Sequence, residues 1–107
     1  MSFAVSRSEI EKWTADMVRI PSYPGIANQE MEVAKYIKSV FDAEGIDCQI
    51  DELDDGRANA IAVLKGAGGG KSLMFNGHTD TVPPTIWIGP VIPGWRVISS
   101  MAAAPTT

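Results

Sequence analysis

The sequence predicts an α/β fold in which two helices come first and a sheet follows. Apolar residues recur at helical spacing in two stretches before residue 45. Shorter apolar segments bounded by glycine and aspartate follow, which is typical of strands and turns. With 107 residues, 45% of them hydrophobic, the chain can build one small domain with a single core. Helices packed on one sheet are the simplest arrangement of these elements.

Two overlapping capping boxes precede the first helix, Ser6 with Glu9 and Ser8 with Glu11. Pro21 ends this helix, because the residue before a proline disfavours the α conformation. The apolar positions in between are Ile10, Trp13, Met17 and Ile20.

The second helix is predicted between Asn28, a plausible N-cap, and Gly45, a natural C-terminal stop. Glu30 lies in its first turn, where a negative charge is favourable. Its apolar stripe consists of Val33, Ala34, Ile37, Val40 and Phe41.

Residues 46–50 alternate apolar and polar, which predicts a half-buried strand with Cys48 as a small core side chain. The acidic segment 51–56 is expected to be a solvated turn, with cation binding as the alternative. Asn59–Leu64 is a more continuously apolar strand, and the glycine-rich residues 66–70 lead into residues 72–76. Two strands joined by a short glycine loop predict an antiparallel hairpin of 59–64 with 72–76.

Residues 73–75 predict a buried strand that ends in a turn carrying His78, the only histidine in the chain. Gly77 allows a sharp turn beside it. Asp80 follows two residues later and can reach the imidazole, fixing its tautomer and raising its basicity toward a metal. Without further context, a buried hydrogen-bonded histidine is an equally good interpretation.

The same segment closely resembles the first metal motif of a family of zinc metallopeptidases. That family includes acetylornithine deacetylase, succinyl-diaminopimelate desuccinylase, aminoacylase and glutamate carboxypeptidase. Residues 18–22 and 57–61 are similar to the segments after the family's first helix and at the start of its second strand. The motif here is Ser72-Leu73-Met74-Phe75-Asn76-Gly77-His78-Thr79-Asp80-Thr81-Val82-Pro83.

The resemblance implies a helix-flanked mixed sheet, of which this chain would form the N-terminal part. It implies that His78 is a ligand of one zinc in a two-zinc site, with cobalt as an alternative metal. It also implies that Asp80 belongs to the catalytic centre and orients the His78 ring. Members of the family hydrolyse amide bonds in small peptides or N-acyl amino acids, using a metal pair, an activated water and a glutamate base.

The family's later motifs, with a bridging aspartate, a glutamate pair and a late histidine, do not occur in this sequence. A catalytic zinc usually has three protein ligands plus water. We therefore expect the isolated chain to be inactive and to bind zinc weakly at most. The alternative function is that of a non-catalytic α/β fragment that mediates association only.

The composition changes abruptly after the motif, since residues 81–107 hold a single charged residue, Arg96. We expect residues 1–84 to be the N-terminal portion of the catalytic domain and residues 85–107 to be a divergent, disordered tail. With one choice of codons, Ser100 to Pro105 read in another frame give Tyr-Gly-Arg-Gly-Thr, which resembles the family's second motif. A frameshifted or prematurely ended product is therefore one hypothesis, and a naturally divergent tail is the other.

A net charge of −4 argues against nucleic acid and anionic membranes as partners. Gly70-Lys71-Ser72 resembles the end of a phosphate-binding loop but is not expected to form one. Gly66 lies one residue too close to Gly70 for that motif, and a strand rather than a helix is predicted to follow. One cysteine and the lack of a signal-like N-terminus predict a cytoplasmic protein. The resemblance implies a small-molecule substrate and allows a homodimer only for a full-length form.

Overall fold

The computed structural model describes residues 4–82, which form two helices and a two-stranded antiparallel sheet. Helix α1 spans Arg7–Arg19 and helix α2 spans Met31–Ala43. Strand β1 spans Asp47–Glu52, strand β2 spans Ala58–Val63, and a short 3₁₀ turn, Asp54–Gly56, lies between them. The α/β composition agrees with the prediction. A mixed sheet is not found within residues 4–82.

Helix α1 begins and ends where the sequence predicts. Ser6 and Glu9 form the reciprocal capping box, with the Glu9 amide donating to the Ser6 hydroxyl at 3.2 Å. The second predicted box does not act as a cap, because Ser8 already lies inside the helix. At the other end, Ile20 adopts an extended conformation immediately before Pro21.

Helix α2 begins later than predicted. Asn28 is not its N-cap; its backbone is left-handed, with φ of 55°, and its carbonyl accepts a bond from the Met31 amide. Glu30 holds the N-cap position without a side-chain capping bond, because its carboxylate is committed to Arg57. The helix ends at Ala43, and Gly45, two residues later, has a φ of 72° that matches the predicted stop.

The sheet is a hairpin of β1 with β2 across the acidic turn, and the predicted hairpin of residues 59–64 with 72–76 is wrong. Cys48 pairs with Ala62, and Gln49 pairs with Ile61. The 3₁₀ turn that joins the strands is exposed apart from the half-buried Gly56, in agreement with a largely solvated loop. Both strands contact α2, which therefore covers one face of the sheet.

The core lies between α2 and that face and is built from small side chains. Val33 and Ala34 of α2 are buried, as are Cys48 of β1 and Ala58 of β2. The predicted role of Cys48 as a core residue is thus confirmed. The remaining stripe of α2, namely Ile37, Val40 and Phe41, is half-buried.

Residues 64–82 follow β2 as irregular chain, so the predicted strand at residues 73–75 is wrong. Leu73, Met74 and Phe75 are 81%, 83% and 91% exposed rather than buried. A strand needs a neighbour to satisfy its backbone groups, and the one partner of β2 among residues 4–82 is β1. An apolar run alone therefore did not produce a strand here.

The predicted disordered tail, residues 85–107, and Pro83 at the end of the motif lie outside the described residues. Within the described part of the chain, neither helix has the length and apolarity needed to cross a membrane.

Candidate functional site

His78 and Asp80 lie side by side at the far end of the irregular segment. The His78 Nδ1 atom is 2.9 Å from the Asp80 carboxylate and 3.1 Å from the Asp80 carbonyl oxygen. The contact that the spacing of these residues predicted is present. It is an exposed contact, since the side chains of His78 and Asp80 are 85% and 43% exposed, so the ring is not packed among apolar side chains.

This contact determines which nitrogen of the neutral ring is available. Both neighbours of Nδ1 are acceptors, so Nδ1 carries the proton and donates it toward Asp80. The lone pair of the neutral ring then lies on Nε2. Among residues 4–82, Nε2 has no hydrogen-bond partner, which leaves it accessible to a ligand.

Ser22, from the loop after α1, holds the backbone on both sides of Asp80. Its hydroxyl donates to the Thr79 carbonyl at 2.9 Å and lies 3.3 Å from the Thr81 hydroxyl. Its carbonyl accepts the Thr81 amide at 3.3 Å and the Gln29 side-chain amide at the same distance. The side chain and backbone of Ser22 are 0% exposed. The helix α1 loop and the motif thus meet at one buried residue.

A second polar contact joins the start of α2 to the start of β2 nearby. The Arg57 guanidinium binds the Glu30 carboxylate through Nε at 3.1 Å to each oxygen and through a terminal nitrogen at 2.5 Å. These bonds hold the pKa of Glu30 below its ordinary value, although burial opposes the shift. The pKa of Arg57 is raised, mainly by Glu30 and to a small extent by the charge of Asp80. The Arg57 side chain therefore places a positive charge beside the candidate site.

The residues present fit one ligand position of a metal site. His78 offers an oriented, accessible imidazole nitrogen, which is the commonest protein ligand for transition metals. Within residues 4–82, no three His, Cys, Asp or Glu side chains are grouped as a metal site requires. The sequences of residues 1–3 and 83–107 contain none of these four residue types. The described residues therefore do not gather three protein ligands around His78.

Sequence reasoning found His78 and Asp80 but missed the residues that surround them. Ser22 was included only in the resemblance of residues 18–22 to the family, and no sequence signal indicates that its hydroxyl reaches a residue 57 positions away. Glu30 was assigned to the first turn of a helix, where it was expected to interact with the helix dipole. Its partner Arg57 lies 27 positions away.

Comparison with known proteins gives two relatives. A protein of Thermococcus kodakarensis, provisionally named a LysW-lysine/LysW-ornithine hydrolase, is 34% identical over 82 residues, which are 77% of this chain and 21% of that protein. The succinyl-diaminopimelate desuccinylase of Wolbachia pipientis is 35% identical over 66 residues, which are 62% of this chain and 16% of the enzyme. The chain thus spans about a fifth or less of the length of these relatives.

No family model matches the sequence, and no solved structure matches the chain. Both relatives carry the names of hydrolases. One of the two names also belongs to the family that the motif around His78 resembles.

Proposed function

We propose that this chain is the N-terminal part of the catalytic domain of a metal-dependent hydrolase that cleaves amide bonds of small peptides or N-acyl amino acids. The observation that carries the proposal is the His78–Asp80 contact of 2.9 Å, with Nε2 left accessible. The names of the two hydrolases that share about a third of their aligned residues with the chain support the reaction class.

In the proposed site, His78 supplies one ligand through Nε2, and Asp80 holds the ring in the tautomer that makes this possible. A carboxylate on the far nitrogen of a ligating imidazole fixes the ring and raises its basicity. The metal, zinc or in its place cobalt, would polarise the amide carbonyl and lower the pKa of a bound water. Asp80 acts through His78, so its effect on turnover is expected to be indirect.

The remaining metal ligands, the general base and the substrate pocket are proposed to come from residues that this chain does not contain. The isolated chain is therefore expected to show no hydrolysis and only weak zinc binding through His78. A catalytic zinc site has three protein ligands, and a single imidazole provides one.

A graft into a complete relative tests the proposal directly. The segment of the Thermococcus protein that aligns with this chain is replaced by the corresponding 82 residues. The chimera and its parent are then assayed on N-acyl amino acids, including N-succinyl-diaminopimelate, with and without zinc. We expect zinc-dependent hydrolysis by the chimera, its loss in the His78→Ala variant, and a reduction in Asp80→Ala.

Ser39→Ala is the control for this graft, because the Ser39 hydroxyl lies on α2 and donates to the Tyr36 carbonyl. It should leave the activity of the chimera unchanged. An active chimera that keeps full activity without the His78 imidazole would contradict the proposed role of this residue. A chimera that hydrolyses none of these amides, although its parent does, would contradict the proposed function.

A second candidate function, association only, is favoured by one observation. Leu73, Met74 and Phe75 are more than four-fifths exposed, and Ile61 and Val63 of β2, which are about half exposed, line the same open groove. Such a cluster is typical of an interaction surface. If association is the function, light scattering should show a concentration-dependent oligomer that Phe75→Glu abolishes, and the graft should show no dependence on His78.

A further inference from the structure

Ser22 is the most completely buried polar residue in the described part of the chain, with 0% of its surface exposed. A buried hydroxyl that lacks a partner destabilises the folded state, so the hydrogen bonds made by Ser22 stabilise it. They run to the Thr79 carbonyl and to the Thr81 side chain and amide. Thr79 and Thr81 flank Asp80 on both sides.

The chain before this point has little else to hold it. Every residue from 64 to 78 is exposed, and none belongs to a helix or strand. Among residues 4–82, the hydrogen bonds that join residues 79–81 to the part of the chain before residue 64 all end on Ser22, in the loop between the helices. The position of the His78–Asp80 pair therefore depends on a fixed Ser22 rather than on a strand.

The loop that carries Ser22 is itself held in place. Gln29, just before α2, donates its side-chain amide to the Ser22 carbonyl at 3.3 Å. Pro21 precedes Ser22 and restricts the backbone at the end of α1. The loop between the helices is therefore restricted at Pro21 and held at Ser22 by the Gln29 side chain.

We propose that Ser22 is a positioning residue for the metal ligand: its hydroxyl and carbonyl fix the 79–81 backbone so that Asp80 stays against the His78 ring. This inference rests on the proposed function of His78 as a ligand. Its structural part concerns the metal-free chain alone and can be tested without activity. Removal of the hydroxyl leaves the Thr79 carbonyl without its donor and allows the turn to separate from the α1 loop.

The test uses nuclear magnetic resonance on the 107-residue chain and its Ser22→Ala variant. Backbone order parameters of residues 79–81 should fall from about 0.85 toward 0.6 or below. The Thr81 amide should exchange about tenfold faster with solvent, in line with the loss of one cooperative hydrogen bond. The single histidine gives one set of ring signals, so the change in the His78–Asp80 contact is read from the imidazole nitrogens.

Zinc is the probe for the functional part. If the ordered turn is populated in only a fraction of the molecules, the apparent affinity of His78 for zinc is the intrinsic affinity multiplied by that fraction. If the ordered fraction in Ser22→Ala falls to about a third, the zinc concentration for half of the His78 shift rises about threefold. A role in overall stability alone would change the unfolding temperature but would leave this concentration and the ring signals of the folded variant unchanged.

Two further variants keep the test decisive. Ser39→Ala removes another serine hydroxyl that donates to a carbonyl and should change none of these signals. Thr81→Val removes the exposed partner of the Ser22 hydroxyl and should lower the order of residues 79–81 less than Ser22→Ala does. If Ser22→Ala does not fold, loss of order in Thr81→Val supports the proposal, and wild-type order in Thr81→Val overturns it.

The outcomes also separate this inference from the proposed function. If zinc leaves the His78 signals of the wild-type chain unchanged while Ser22→Ala loosens residues 79–81, the structural tether is upheld and the proposed ligand role fails. If zinc shifts His78 equally in the wild type and in a folded Ser22→Ala variant, the positioning role is overturned and the ligand role stands.

Discussion

Replacing Glu30 with alanine is expected to destabilise the chain strongly, even though no catalytic role is assigned to it. The carboxylate of Glu30 is buried, with 5% of the residue exposed, and it accepts three bonds from Arg57. These bonds connect the N-cap residue of α2 to the residue that precedes β2. The variant removes this polar connection between the start of the second helix and the start of β2.

The size of the effect follows from which charge is left behind. Truncating one member of a fully buried ion pair leaves the other charge unpaired and costs about 3–5 kcal/mol. Here the remaining partner, Arg57, has a side chain that is 54% exposed and can be solvated by water. The loss then reduces to that of hydrogen bonds to a charged group, about 1.5–3 kcal/mol. For a domain of this size, that corresponds to a fall in unfolding temperature of at least about 6 °C.

Urea and thermal unfolding, followed by circular dichroism, measure this loss without the screening that a salt denaturant would introduce. Glu32→Ala is the matched control, because Glu32 lies two residues further on the same helix in an exposed pair with Lys35 at 3.4 Å. It should change stability little. If the Glu30 and Glu32 variants lost the same free energy of unfolding, the claim that the buried ion pair stabilises more than the exposed one would be refuted.

The same pair predicts a pH dependence. Arg57 lowers the folded-state pKa of Glu30 below its ordinary value of 4.5. The unfolded chain therefore takes up a proton at higher pH than the folded chain does. The stabilisation is fully present above pH 4.5 and is lost as the pH falls through the lowered pKa. Glu30→Gln should abolish this part of the acid-side slope.

Three other experiments have defined outcomes. Tyr36 donates to Asp16 at 2.7 Å, and burial followed by Asp16 raises the pKa of Tyr36 to about 12. Tyr36→Phe should cost about 1–2 kcal/mol at neutral pH. In unfolding curves recorded between pH 10 and 12, the wild type should lose this stability as the pH rises, and the variant should not. Cys48 is 3% exposed and burial raises the pKa of its thiol, so iodoacetamide should label it far more slowly in the native chain than in urea. Gly56→Ala should lower the unfolding temperature more than Gly45→Ala, because both have positive φ but only at Gly56 would a Cβ meet the Asn28 side chain.

The elements that the sequence predicted correctly are those determined by neighbouring residues. The start of α1 follows from the reciprocal bonds of Ser6 and Glu9, which lie three positions apart. The end of α2 follows from the left-handed conformation at Gly45. Burial of Cys48 follows from the alternation of its strand. Each of these depends on chemistry within a few residues.

The elements that were wrong depend on distant partners. The apolar run at residues 73–75 predicts a strand only if another strand lies beside it, and the described sheet pairs β2 with β1 instead. Glu30 was expected to interact with its own helix, but Arg57 binds it. At the candidate site, the short spacing of His78 and Asp80 predicted their contact, whereas the role of Ser22 required the fold.

The central claim is that Asp80 orients the His78 ring so that Nε2 can bind a metal. Nitrogen-15 chemical shifts of the single imidazole, recorded on the wild-type chain at a pH where the ring is neutral, test it most directly. We expect the proton on Nδ1, and a selective change at Nε2 when zinc is added, both reduced in Asp80→Ala. A ring protonated on Nε2, with no response to zinc, would contradict the claim.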